Sequence, residues 1–263
     1  MKEQLYIIKI GGNCIDDKSV LIPFLSTFSA IKGKKILIHG GGSIATKHAQ
    51  LLNIQQHFHE GRRITDKQTL DIAVMSYRGL INAEITSILQ SMHCNAIGVC
   101  GADAGLLKAT KRLVNEIDFG FVGDIDEDSI NANILRHLLE FPLIPVIAPI
   151  TYDRFGNLLN TNADTIATMI AITLQKTYDV TLIYCFDKSG VLSDPSDHDS
   201  VIESLQRSEY EILQSQGMIQ HGMIPKLDNA FHAIESGVKT IILTSPDSLQ
   251  SEVSNIKGTR ITP

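Results

Sequence analysis

Short runs rich in β-branched residues alternate along this chain with longer amphipathic stretches. The runs are "LYIIKI" (5–10), "KKILIHG" (34–40), "NAIGVCG" (95–101), "LIPVIAPI" (143–150), "VTLIYCF" (180–186) and "VKTIILT" (238–244). Strands that are apolar on both faces need cover on both faces, and a mainly parallel sheet between two helical layers provides it. The class is α/β. The stretch 66–92 carries Leu70, Val74, Tyr77, Ile81, Ile85, Ile88 and Leu89 at helical spacing, with Thr65 or Asp66 as N-cap. It is long enough for a main domain helix or a subunit contact. "DRFGN" (153–157) and "FGFVGD" (119–124) have the chemistry of hairpin tips. A seam falls after the helical stretch 162–175, so two lobes are expected, 1–175 and 176–263, sharing one continuous sheet.

Composition narrows the function. The chain has 263 residues, 43% apolar and 20% charged, which fits a globular enzyme rather than a disordered or fibrous chain. With a net charge of −6 and no basic cluster beyond "KGKK" (32–35), nucleic acid is not an expected partner. Cys14, Cys94, Cys100 and Cys185 lie far apart and form no C-x-x-C, so neither zinc nor a disulfide framework is suggested and a reducing cytoplasm suits them. The strand pattern begins too early for a signal peptide, and no run approaches the roughly 18 apolar residues of a membrane span. A cytoplasmic protein without a membrane segment is expected.

Two glycine-rich strand ends carry the first chemical signal. "GG" (11–12) follows the first strand, and "HGGGS" (39–43) joins the second to a helix. Such turns bring bare N–H groups close to a ligand, and a helix N-terminus adds positive potential for an anion. They also serve plain tight turns. Neither is G-x-G-x-x-G, a P-loop or a nucleophile elbow, so a dinucleotide enzyme or a serine hydrolase is disfavoured.

Lys9, at the mouth of the first strand, reads either as an edge-strand lysine reaching water or as a cation for a transferring phosphoryl group. A second misplaced lysine favours the latter, because Lys226 in "HGMIPKLDNA" (221–230) sits at a helix start, against the macrodipole. "NTNADTIA" (160–167) offers Asn160, Asn162 and Asp164. Asn162 or Asp164 is a candidate helix cap, and Asp164 is alternatively an acid held between the two lysines. "FDKSGVL" (186–192) is a strand-end turn suited to a nucleotide or simply to a turn. His57 and His59 in "HFHE" read as a structural hairpin pair, and Arg62 or Arg63 in "GRRIT" as a carboxylate clamp or a solvated cation.

"IIKIGG", "HGGG", "EGRRITD", "GLINAEI", "FGFVGDI", "IPVIAPI", "LLNTNADTIA", "FDKSGVL", "GMIPKLDNA" and "GTRI" together resemble, in order, the amino-acid kinase family and within it the N-acetylglutamate kinases. The resemblance implies an αβα sandwich around a mainly parallel sheet of roughly eight strands, with the acyl-amino acid in the N-terminal lobe and ATP in the C-terminal one. It implies that Lys9 and Lys226 stabilise the transferring phosphoryl group and that Asp164 orients them. Gly41 and Gly42 match donors to the acyl-amino acid, Arg63 the clamp on its α-carboxylate, Asn160 a further substrate contact, and Gly12 a phosphate-facing amide. Asp187, Ser189, Gly190, Val191 and Leu192, with Met218, Ile219 and Gln220, match the nucleotide-binding segments.

The implied activity is ATP-dependent phosphorylation of the γ-carboxylate of an N-acylated L-glutamate for arginine biosynthesis, with Mg²⁺ held mainly by ATP phosphates rather than by a protein cage. The chain departs from the family pattern in "MSYRGLINAE", where Tyr77 and Arg78 read as helix surface or dimer contact. An added cation near the acyl pocket would instead suit a succinyl group, so N-succinylglutamate is an alternative substrate. Other small-molecule kinases of the fold and a non-catalytic metabolite sensor are further alternatives. A homodimer insensitive to arginine is expected, since the first strand begins almost at once.

Overall fold

The computed structural model describes residues 2–194, 196–197, 200–219 and 222–263. Eight strands form one sheet: β1 (Gln4–Ile10), β2 (Lys34–His39), β3 (Ala96–Val99), β4 (Ile144–Ile147), β5 (Asp179–Cys185), β6 (Ser204–Leu205), β7 (Thr240–Thr244) and β8 (Thr259–Ile261). Their order is β6-β8-β7-β5-β1-β2-β4-β3. Every neighbouring pair is parallel except β7 with β8. Each of the six apolar runs yields one strand, and β6 and β8 are too short to show a period. The run 143–150 divides, because Ala148 and Pro149 end β4 and Ile150 opens a separate hairpin.

The helices are α1 (Lys18–Ala30), α2 (Gly42–Leu51), α3 (Lys67–Ala73), α4 (Asn82–Ser91), α5 (Ala132–Glu140), α6 (Ala163–Leu174), α7 (Arg207–Ser215) and α8 (Ile224–Glu235). Asp66 caps α3, accepting a hydrogen bond from Thr69 N at 2.7 Å. A π-helical segment, Val74–Ile81, joins α3 to α4 without a break. No helix among the described residues is long and apolar enough to cross a membrane.

Side-chain alternation sorts the strands onto two cores. Leu5, Ile7, Ile36, Ile38, Leu182 and Tyr184 pack with α5, α6 and α8, whereas Ile8, Ile10, Leu37, Ile183 and Cys185 pack with α1, α4 and the π segment. The result is a three-layer αβα sandwich. Lys9 falls in step with Leu5 and Ile7, and therefore faces α6 and α8.

Three hairpins stand beyond the carboxyl ends of β1 and β2. They pair His57–His59 with Arg62–Ile64, Thr110–Lys111 with Gly123–Asp124, and Ile150–Tyr152 with Leu158–Asn160. Bridges between Thr65 and Gly120 and between Val122 and Asn160 tie them into one wall.

Candidate active site

Lys9 lies on a central strand, paired on both sides, and is 7% exposed, so the edge-strand reading does not hold. Opposite it, Asn162 caps α6 by accepting from Asp164 N at 2.8 Å and Thr165 N at 3.0 Å. The Asp164 carboxylate is thereby released from capping. Its Oδ1 is 2.8 Å from Lys9 Nζ, and its Oδ2 accepts a hydrogen bond from Lys226 Nζ at 2.8 Å. Three residues distant in sequence thus converge within one buried group.

Burial alone would push the Asp164 carboxyl up, but Lys226 and then Lys9 outweigh it and hold the group well below the ordinary carboxylate range. Burial pulls the Lys226 ammonium down, Asp164 opposes that, and Lys9 adds to it. The rings of Tyr184 and Phe186 each lie 5.4 Å from Lys226 Nζ, giving the cation an aromatic bed. Tyr184 shares a 2.6 Å hydrogen bond with Thr168, whose hydroxyl also donates to the Asp164 carbonyl at 2.9 Å.

The two glycine turns meet beside this group. Gly40 N donates to Ile10 O at 2.9 Å, and the backbones of Gly11 and Gly40 are close enough that a Cβ on Gly40 would lie 3.5 Å from Gly11 Cα. Gly41 adopts φ 143°, and a Cβ there would strike Ile81 Cδ1 and sit 3.1 Å from Tyr77. Gly41 occupies the N-cap of α2 with no side-chain cap, so the helix start has N–H groups to offer an anion. Asp16 ties the turns together, accepting from Ser43 Oγ at 2.7 Å and pairing with Lys47 at 2.9 Å.

A cleft of about 830 Å³ opens here, lined by Gly41, Gly42, Arg63, Asn160 and Asp164, by the hairpin residues Phe58 and Arg62, and by Pro225 and Asp228 of α8. Arg63 is fixed by donating to Gly42 O at 2.8 Å, to Thr46 Oγ1 at 3.0 Å and to Gln56, with its guanidinium 4.7 Å above the Phe58 ring. Asn160 donates to Thr65 Oγ1 at 3.2 Å. Tyr77 is buried and lines the cleft, contrary to a place on the helix surface, because the π segment turns it toward Gly41. Arg78 does not line it; its guanidinium goes to Asn82 Oδ1 at 3.0 Å and Asp103 at 3.3 Å. The cation that opened the succinyl alternative is therefore engaged elsewhere. A cluster of charge-neutralising lysines, anion-binding turns and a carboxylate clamp is suited to moving a phosphoryl group onto an anionic acceptor.

The model of the amino acid kinase family matches residues 4–245. The chain belongs to that family. Proteins named acetylglutamate kinase are similar along nearly the whole length: that of Bacteroides thetaiotaomicron is 46% identical over 99% of both chains, and that of Cytophaga hutchinsonii 48% identical over 98% of both. That of Methanopyrus kandleri is 33% identical over 92% of this chain and 96% of its own. Among solved structures, N-acetylglutamate synthase from Neisseria gonorrhoeae superposes with a TM-score of 0.83 at 20% identity, over 99% of this chain and 59% of that one. Carbamate kinase from Giardia lamblia gives 0.67 at 17% identity, over 99% and 98%. These two share the fold.

Beyond the cleft, this amino acid kinase gathers Gly190, Val191, Leu192, Met218 and Ile219 around a small pocket of about 20 Å³, with Lys188 and Met223. Gly190 has a packing reason as well, since a Cβ would lie 2.7 Å from Thr259 Oγ1 and 2.8 Å from Val201. The Val191 side chain belongs to the core, and its N–H donates to Thr259 Oγ1 at 2.8 Å. Asp187 is exposed at the end of β5, near enough to help hold the Lys226 proton. Ser189 and Gly12, both exposed, line neither cavity, and Gln220 lies outside the described residues. Sequence reasoning missed Asp16 and Tyr184. The alternation of β5 was the available signal for Tyr184, which shares a face with Leu182.

Proposed function

We propose that the chain is an acetylglutamate kinase, transferring the γ-phosphoryl group of ATP to the γ-carboxylate of N-acetyl-L-glutamate and so forming an acyl phosphate for arginine biosynthesis. The observation that carries this reading is the buried Lys9–Asp164–Lys226 group, which lies beside two glycine turns and reaches through Asp164 the wall of a cleft that also holds Arg63. An acceptor carboxylate is ionised at neutral pH and attacks without a general base, which leaves alignment and charge neutralisation as the protein's tasks. Lys9 and Lys226 neutralise the γ-phosphoryl oxygens, and Asp164 keeps the two ammonium groups from repelling each other apart. Amides of Gly41, Gly42 and Gly12 face acceptor and phosphate, Arg63 holds the α-carboxylate, and Asn160 orients the acyl-amino acid. Asp187, Ser189, Gly190, Val191, Leu192, Met218 and Ile219 are assigned to ATP.

Mg²⁺ fits as a passenger of the nucleotide. The carboxylate at the centre, Asp164, is held by two cations, and Mg²⁺ commonly keeps several waters and is held largely by substrate phosphates, so the nucleotide is its natural carrier. When bound it supplies neutralising charge along the phosphates.

An ATP-dependent hydroxamate assay offering N-acetylglutamate, N-succinylglutamate, glutamate and aspartate in parallel tests the reading. Turnover of N-acetylglutamate is expected; its absence sinks the proposal. The same proposal places the acyl-amino acid in residues 1–175 and ATP in residues 176–263, in a cytoplasmic setting that suits four buried free cysteines. It also includes a homodimer, supported by exposed Leu51, Leu52, Met75 and Leu80 on α2 and the adjoining π segment. Sedimentation velocity is expected to give a dimer, and a monomer for Met75→Glu combined with Leu80→Glu.

A further inference from the structure

His39 ends β2, is fully buried, and immediately precedes the three glycines of the cleft turn. Its Nδ1 lies 2.8 Å from Gly40 O, an atom that can only accept, so Nδ1 carries the proton and donates. Its Nε2, 3.1 Å from Asn82 Nδ2, must then accept. Asn82 is also fully buried and has no freedom to flip. Its Nδ2 also donates to Val146 O at 2.9 Å, and its Oδ1 accepts from Arg78 Nη1 at 3.0 Å. Gly98 on β3 is bare where a Cβ would strike that same Oδ1, which leaves room for the amide.

Asn82 directly follows the π segment, and the same segment sends Tyr77 and Ile81 against Gly41. The π turn therefore reaches the glycine turn twice, by packing at Gly41 and by a polar chain running Asp103–Arg78–Asn82–His39–Gly40. Widened helical turns of this kind are rare and occur frequently at functional sites. Of this polar chain only Gly40 is one of the turn's glycines.

We infer that Asn82 and His39 are positioning residues: through them the π segment fixes the orientation of the Gly40–Gly42 backbone, and with it the engagement of the acyl-amino acid, without touching substrate. This rests on the reading of Gly41 and Gly42 as donors to the acyl-amino acid. The charged groups felt by the ring are Arg78, from the π segment, and Lys9, from β1. Burial first, then these cations, outweigh the Gly40 carbonyl and pull the imidazole down to about 4, so it stays neutral and keeps its tautomer at neutral pH.

Steady-state kinetics on wild type, His39→Leu, His39→Asn and Asn82→Asp test this. His39→Leu is expected to raise the KM for N-acetylglutamate about tenfold with the KM for ATP unchanged, and His39→Asn, which retains a donor for Gly40 O, to recover most of that loss. Asn82→Asp puts a carboxylate opposite Nε2, which favours the imidazolium, and a new ionisation is expected in the pH profile of kcat/KM for the acyl-amino acid. Nitrogen NMR of the wild-type ring is expected to report a neutral Nδ1–H tautomer at neutral pH, independently of turnover. An Nε2–H or charged ring, folded variants with unchanged KM, or equal rises in both KM values would overturn the inference. A wild type inactive on N-acetylglutamate would instead overturn the functional reading, and the inference with it.

Discussion

Asp164 is the residue on which the site turns, because one carboxylate answers two buried ammonium groups at 2.8 Å each. The lysines' task is to meet charge that develops in the transition state. Lys9→Ala and Lys226→Ala are therefore expected to lower kcat by about 10²–10³ while changing KM little; a mainly KM effect in initial-rate measurements would assign them to ground-state binding instead. Asp164→Asn leaves two unmatched cations and is expected to cost about 3–5 kcal/mol in denaturant titration. The sign of the pH effect follows from the depressed carboxyl. Its stabilisation is complete above the unfolded value of about 3.9 and is lost as pH falls toward the lower folded value, so at neutral pH the triad is insensitive to acidity. In Asp164→Asn, Lys226 loses the partner that raises it and keeps burial and Lys9, which both lower it. Residual activity of that variant should fall with rising pH earlier than in the wild type, which a pH–rate profile reads directly.

At the scale of elements, what was legible followed simple periods and what was not followed three-dimensional register. The alternation of β1 puts Lys9 on the face of Leu5 and Ile7, yet nothing in one strand's sequence says which helices cover that face. Asn162 and Asp164 compete for one cap on paper, and only the closed first turn of α6 shows that Asn162 takes it. The stretch 66–92 reads as helical and its apolar spacing includes Tyr77, but the π segment within it has no periodic signature, so the sequence leaves helix surface, dimer contact and acyl pocket all open for Tyr77 and Arg78. Glycine identity was legible, whereas its reason was not. A Cβ on Gly11 would collide with Lys9 Nζ, the movable end of a flexible chain, rather than with backbone. Gly11→Ala should consequently fold, with a stability loss smaller than that of Asp164→Asn because a movable ammonium group rather than backbone gives way, and lower kcat by at least about tenfold; a large loss of thermal stability with normal kcat would refute that account.

For the whole molecule, the sheet divides between β1 and β5, with β1 to β4 on one side and β5 to β8 on the other, and the triad straddles that seam through Lys9, Asp164 and Lys226. Six strands and the α/β class were readable from apolar runs; β6 and β8, of two and three residues, were too short to be found by period, though "GTRI" marked the latter by resemblance. Two cavities of unequal size are present among the described residues: the cleft of about 830 Å³, walled by Gly41 and Arg63 on one side and by Pro225 and Asp228 of α8 on the other, and the pocket of about 20 Å³ between Gly190–Leu192 and Met218–Ile219. Ligand pockets run to about 300–1,000 Å³, so no adenine fits that space without movement. Gly190 and Val191 are braced by Thr259, whose hydroxyl accepts from Val191 N at 2.8 Å, and the opposing Met218 and Ile219 follow the end of α7, where Met218 N donates to Leu213 O at 3.0 Å. If this pocket takes ATP as proposed, opening is expected at the Met218 wall, where the chain leaves α7, rather than at the wall tied to β8 through Thr259. Hydrogen exchange of the apo protein against a complex with a non-hydrolysable ATP analogue is expected to change strongly around Met218, Ile219 and Met223 and weakly around Val191 and Thr259. Equal protection changes on both walls, or none on either, would place ATP elsewhere and return those five pocket residues to the core.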